Sequence, residues 1–288
     1  MASVYLRAAG DLGHLLAGHD PWMAANRLVD AIAARPQAWA EWLPATLEHT
    51  PQAMVRIALE QVRARPERAA GWLTVIRHLA DAASDVEAFR ETYSAEALAT
   101  PAVAVEVARR YMAASQVGAA GEVLRGAAPK SNQAGRLAAP NFDWETAWID
   151  YLERAGDTET AQAVRWASFE RTLDVGRARA FTTRLTGFDD VESESRAFAH
   201  AAQHPDFQLG LKFLMAWPAL PEASLMIEAR KDDIDVDAPE AELWAAKLRR
   251  RFPAAAHLLL RRAAAAAFRR REFNVCDRLT QETETIVI

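Results

Sequence analysis

The chain has 288 residues, of which 51% are apolar and 25% charged, with a net charge of −5. That length and apolar content exclude wholesale disorder and allow one large domain or two ordinary ones. The acidic balance excludes nucleic-acid binding driven by overall basicity, although local patches stay open. Ala, Leu, Arg and Glu dominate, Gly numbers only 12, and β-branched runs are scarce, which is an all-α composition. The single cysteine, Cys276, can form neither an internal disulfide nor a thiolate metal site by itself, and it suits a reducing, cytoplasmic setting. Arg7 and Asp11 interrupt the first twenty residues, so no signal peptide is read there, and nowhere does a run approach the roughly 20 apolar residues that span a bilayer.

In chain order, the first signal is a repeat. ARPQAWAEWL at 34–43 recurs as ARPERAAGWL at 64–73, and DPWMAANRLVDAIAARP at 20–36 aligns without a gap on TPQAMVRIALEQVRARP at 50–66. Asp20 and Thr50 read as N-caps, each followed by a proline where a first helical turn has no amide bond to lose. Ala25, Leu28, Val29 and Ile32 in one copy, and Val55, Ala58, Leu59 and Val62 in the other, recur at three- and four-residue steps and give each helix one apolar stripe. Arg35-Pro36 and Arg65-Pro66 then end one helix and start the next. The expectation is two antiparallel helices per thirty residues, stacking because a lone hairpin cannot bury its stripe. Trp42 and Trp72, at equivalent positions, read as wedges between stacked units.

The repeat fades after residue 80, while Thr100-Pro101 opens a further helix to about Ser115. GAAPKSNQAGRLAAPN at 126–141 breaks all periodicity, which sets expected domains at 1–128 and 143–288 with a linker at 129–142. Beyond it, Asp143 reads as the cap of a helix ending at Gly156, and GDTETA with Ala161 is similar to the inter-helix turn of tetratricopeptide repeats. Further helices are expected at roughly 175–186, 190–203, 206–216, 219–230, 239–252, 253–270 and 272–284. The fold expected is therefore an all-α, tetratricopeptide-like solenoid of stacked antiparallel hairpins. The apolar tail at 286–288 is expected to dock on its own core or on a partner.

WETAWIDYLERAGDTETAQAVRWASFERTL, LTGFDDVESESRAFAHAAQHPDFQLGLKFLMAWPAL and FPAAAHLLLRR keep their order and spacing over residues 143–262. In this they resemble a mainly proteobacterial family of unknown function. The resemblance implies a helical, repeat-like region that in relatives sometimes follows a SWIM-type zinc-chelating module. This chain departs in two ways, since one cysteine cannot build that module, and the segment after FPAAAHLLLRR reads AAAAAFRRREFNVCDRLTQ. The resemblance implies no activity.

Four groups of residues carry candidate chemistry. His200 and His204 have the i, i+4 spacing of a metal pair, with Asp189, Asp190 and Asp206 as further donors, yet helix ends and capping account for all of them. The same Asp189, Asp190, His200 and His204 could do acid–base work only if they converge. Cys276 lacks an evident base and orienting group, so it reads as a packed or half-exposed thiol. Arg249, Arg250, Arg251, Arg261 and Arg262, with Arg269–Arg271 beyond, would form a phosphate or acidic-partner patch if they faced one way; alternatively, cations at helix C-termini offset the dipole, and the acidic stretch DDIDVDAPEAE at 232–242 pairs with them. The usual phosphate-loop and hydrolase signatures are absent, and no metal and no cofactor is expected. The leading expectation is a non-enzymatic scaffold binding a protein or peptide in a groove, with no membrane role. A nucleic-acid or phosphate adaptor using the arginines comes next, and an enzyme around the Asp/His set last.

Overall fold

The computed structural model describes residues 2–66, 69–130, 139–187 and 189–287, and among these every regular element is helical. The chain divides into two compact units, Met1–Asp157 and Thr158–Ile288. No helix among the described residues is long and apolar enough to cross a membrane.

The first unit holds α1 (Ala2–Ala17), α2 (Pro21–Ala34), α3 (Pro36–Leu47), α4 (Gln52–Ala64), α5 (Trp72–Ala83), α6 (Val86–Arg90), α7 (Ala95–Leu98), α8 (Pro101–Ala113), α9 (Val117–Gly126) and α10 (Phe142–Ala155). The repeat stripes face inward as read: Ala25, Leu28, Val29, Ile32, Val55, Ala58, Leu59 and Val62 are all buried. α2 packs on α4, and α1, α3 and α5 pack in succession. Burying these aliphatic side chains, at roughly 25 cal/mol per Å² of apolar surface, drives the layering. The contact of α1 with α3 is unusually close. A Cβ at Gly13 would sit 2.3 Å from the Thr46 carbonyl oxygen, and the buried Thr46 hydroxyl donates to the Ala9 carbonyl at 3.0 Å.

Asp20 caps α2 as expected, accepting from the Trp22 and Met23 amides at 3.1 and 3.0 Å. Thr50 does not cap α4. Pro51 takes the N-cap position, and the Thr50 hydroxyl donates back to the Thr46 carbonyl at 2.7 Å; Thr100 likewise donates to Ala97 at 2.6 Å. Each hydroxyl satisfies a carbonyl left open at the end of the preceding turn. The two repeat copies also diverge. α3 begins at Pro36, but α5 waits until Trp72, behind Gly71 with φ 87°, where a Cβ would lie 2.7 Å from the Gln37 Cα. Trp72 is fully buried, whereas Trp42 is half-buried in the middle of α3 and stacks on Tyr5 at 5.4 Å, so the two tryptophans are not equivalent wedges.

The expected linker at 129–142 falls largely outside the described residues, and the division between units lies instead in the Gly156–Asp157 turn. α10, expected to open the second domain, belongs to the first: Trp144 Nε1 donates to the Leu124 carbonyl at 3.0 Å and Arg154 to the Met112 carbonyl at 3.1 Å. Its cap is Asn141, which accepts from the Trp144 amide at 3.1 Å, with Asp143 inside the first turn.

The second unit holds α11 (Thr158–Thr172), α12 (Val175–Thr182), α13 (Asp189–Gln203), α14 (Phe207–Ala216), α15 (Leu220–Ala229), α16 (Ala238–Leu248), α17 (Pro253–Arg269) and α18 (Phe273–Glu284). Helices α11 to α15 pack in succession, and α17 touches α15, α16 and α18. The HPDF, FL and WP elements serve this packing: Asp206 accepts from the Leu209 amide at 3.0 Å, Phe207, Phe213 and Leu214 are buried, and Trp217 ends α14. Ile286 docks on this unit's core while Val287 is exposed.

Candidate binding groove between two C-terminal helices

α17 starts behind Phe252 with Pro253 at its first position, and its long alanine run at 263–267 buries Ala263, Ala264, Ala266 and Ala267. A three-residue turn with Arg271 at φ 62° reverses the chain into α18, which packs back on α17 through Leu279. The residues that face each other outside that contact are short: Ala264 and Ala265 on α17, Cys276 and Thr280 on α18. Short side chains on both walls leave an open, largely apolar groove of about 660 Å³. His257, Arg261 and Arg269 line it from α17, Phe268 stands at its turn end, and Glu284 closes the opposite end from α18. Phe268 and Phe273 are exposed and meet edge to face at 5.8 Å. Cys276, a half-buried free thiol, lines this wall.

The five arginines expected as one patch have different surroundings. Arg262 pairs with Asp232 at 2.6 Å, Arg249 donates to the Thr285 hydroxyl at 3.3 Å, and Arg251 lies 5.8 Å from the Phe252 ring. Arg250 is exposed, and Arg261 lines the groove. The acidic stretch does pair with arginines, through Asp232–Arg262, Asp237–Arg270 at 3.9 Å and Glu242–Arg278 at 2.8 Å. Arg261 and Arg269 make no ion pair or hydrogen bond among the described residues. One residue is about 100° around a helix, so each arginine doublet is split: its second member turns to the acidic stretch and its first to the groove.

The Asp/His set does not converge. Asp189 and Asp190 open α13 and His200 lies near its end, eleven residues on, about 16 Å along the axis. His200 Nε2 donates to the Glu170 carbonyl at 2.9 Å, and His204 Nδ1 accepts the Asp206 amide at 3.2 Å, so both imidazoles are engaged in holding chain turns. Among the described residues no group of three or more metal-ligating side chains comes together.

A second constellation, which no motif announces, joins α5, α6 and α8. Arg110 is bidentate on Asp81, at 2.5 and 2.8 Å, and its guanidinium covers the Phe89 ring at 3.6 Å. Arg77 covers the Tyr93 ring at 4.0 Å and donates to the Thr92 hydroxyl at 2.8 Å. Tyr93 and Tyr111 donate to Glu106 and Glu87, both at 2.8 Å. Burial, then the carboxylate acceptor, raises both phenols, Tyr111 to about 12. The Asp81 carboxylate holds Arg110 above its ordinary value. Both arginines and both tyrosine hydroxyls have partners within the constellation, which clamps three helices together.

A model of a family of unknown function, DUF6880, matches residues 13–275. The chain belongs to that family. The DUF6880 match reaches far upstream of the 143–262 signature, taking in the N-terminal repeat, the clamp and the whole of α17. It stops one residue before Cys276, so most of the groove's α18 wall lies beyond it. Comparison with curated proteins and with solved structures found no match.

Proposed function

We propose that this chain is a non-enzymatic protein-interaction scaffold: a short solenoid of helical hairpins, working in the reducing cytoplasm, that holds a partner segment against its helices. The observation that carries this reading is the set of open, apolar-floored grooves between helices. One lies between α1 and α2 (about 360 Å³), one between α13 and α15 (about 570 Å³), and the largest of the three between α17 and α18. Leu15, Met23, Leu225 and Phe268 are exposed at these grooves, and large apolar side chains lining concave surface favour partner binding. The packing of α1, α3 and α5 in succession, with α2 on α4 behind them, supports the solenoid reading.

Affinity capture with the purified chain, at low and high salt and with nuclease in parallel, tests this. The expected result is one defined protein, retained at both salt concentrations and after nuclease, because apolar burial responds little to salt. Recovery of nucleic acid alone, lost as salt rises, would transfer the reading to a phosphate-binding adaptor.

A further inference from the structure

We infer that the α17–α18 groove takes an acidic amphipathic helix of a partner protein, its apolar stripe on Ala264, Ala265, Phe268 and Cys276 and its carboxylates on Arg261 and Arg269. This rests on the scaffold reading above and names the occupant of one groove.

The charge pattern selects the occupant. α17 and its C-cap carry two rows of cations, and the row Arg262–Arg270 is already met by carboxylates of this chain, Asp232 on the first and Asp237 and Glu272 on the second. The row Arg261–Arg269, one residue back in each case, faces the groove and makes no ion pair among the described residues, although Glu284 lines the far end. Desolvating a guanidinium beside apolar surface is favourable only when a carboxylate meets it, and an incoming acidic segment would give the second row what the first row has. The spacing sets the form. Arg261 and Arg269 are eight residues apart, about 12 Å along the helix, and the lined stretch from His257 to Arg269 is about 18 Å. A docked helix of about twelve residues covers that length, and carboxylates seven or eight residues apart on one edge of its apolar stripe meet both guanidiniums. A fatty acyl chain has one charge, at one end, and leaves the second arginine bare. A nucleic-acid strand would need parallel stacking faces, whereas Phe268 and Phe273 meet edge to face. Glu284, at the end near His257, disfavours a third carboxylate there and sets the direction of the acidic edge.

Cys276 is the sole cysteine of the chain and lines the groove, so it reports occupancy directly. The probes are three labelled, helix-forming dodecapeptides sharing one Leu/Ala stripe, with Glu, Gln or Lys at two edge positions eight apart, and a single-stranded dodecanucleotide. Anisotropy gives affinity, and the rate of Cys276 reaction with a thiol reagent on the full-length chain gives location. The Glu peptide should bind about tenfold more tightly than the Gln peptide and slow the thiol reaction in proportion. The double variant Arg261→Ala/Arg269→Ala should abolish that preference, while Arg262→Ala keeps it within about twofold. Equal binding of Glu and Gln peptides, binding without thiol protection, no binding at about 1 mM, or protection by the oligonucleotide alone would each overturn the inference. Affinity capture separates the two proposals: a partner held equally by wild type and double variant sinks this groove and leaves the scaffold standing. Absence of any partner, with peptide binding intact, sinks the scaffold instead.

Discussion

The α5–α6–α8 clamp and the α17–α18 groove are built from the same materials, arginines beside aromatic rings with carboxylates within reach, and they have opposite outcomes. In the clamp Arg110 lies between Asp81 and a buried Phe89, and both tyrosine hydroxyls are taken. In the groove Arg261 and Arg269 line the wall with an exposed Phe268 and make no ion pair among the described residues. The difference teaches that local composition does not separate a structural network from a docking surface. What separates them is whether the carboxylate arrives from the chain's own helices.

The largest test of that contrast is truncation of one ring from each. Phe89→Ala, at a 1%-exposed position, should cost about 3–5 kcal/mol in urea denaturation, and Phe268→Ala, 61% exposed, under about 0.5 kcal/mol. Equal losses would mean the groove is a core in its own right. Alkali gives the next effect. Tyr111 keeps its proton in the folded chain up to about 12 and loses it near 10 when unfolded. Its contribution is therefore whole below pH 10 and drains away as pH rises through 12, by about 2 kcal/mol. Tyr111→Phe should remove this component of the decline when urea midpoints are compared at the two ends of that window.

A smaller difference separates the ion pairs. A double-mutant cycle on Asp81 and Arg110 should return about 1 kcal/mol, because the pair is bidentate and partly buried, and one on Asp232 and Arg262 under about 0.5 kcal/mol, because Asp232 is exposed. The smallest effect belongs to the open row: Arg261→Ala/Arg269→Ala should leave the unfolding midpoint within about 0.5 kcal/mol of wild type. A large loss there would show that these arginines already have structural work to do.

Much of the helical layout is legible in the sequence alone. The stretches read at 190–203, 206–216, 219–230 and 272–284 match α13, α14, α15 and α18 to within a residue or two, because apolar periodicity, Asp206 and the Pro/Gly punctuation mark their ends locally. Three readings failed for one reason. Thr50 looks like a cap until the Thr46 carbonyl is seen within reach, Trp72 looks like Trp42 until Gly71 lets α5 press on Gln37, and α10 looks like a new domain until Trp144 reaches Leu124. In each case a residue distant in sequence, or a carbonyl one turn back, supplies the stronger partner. The candidate site was half visible: the arginine doublets stand out in the sequence, but nothing there says which member of each is already paired.

The sequence by itself determined the helices, their inward stripes and the about 100° that separates neighbours such as Arg261 and Arg262, since all three follow from local sterics and a fixed helical pitch. Tertiary structure alone decided which side of α17 the acidic stretch would cover. That choice depends on how α16 and α18 pack against it, and it leaves one row of cations neutralised and the other facing an open groove.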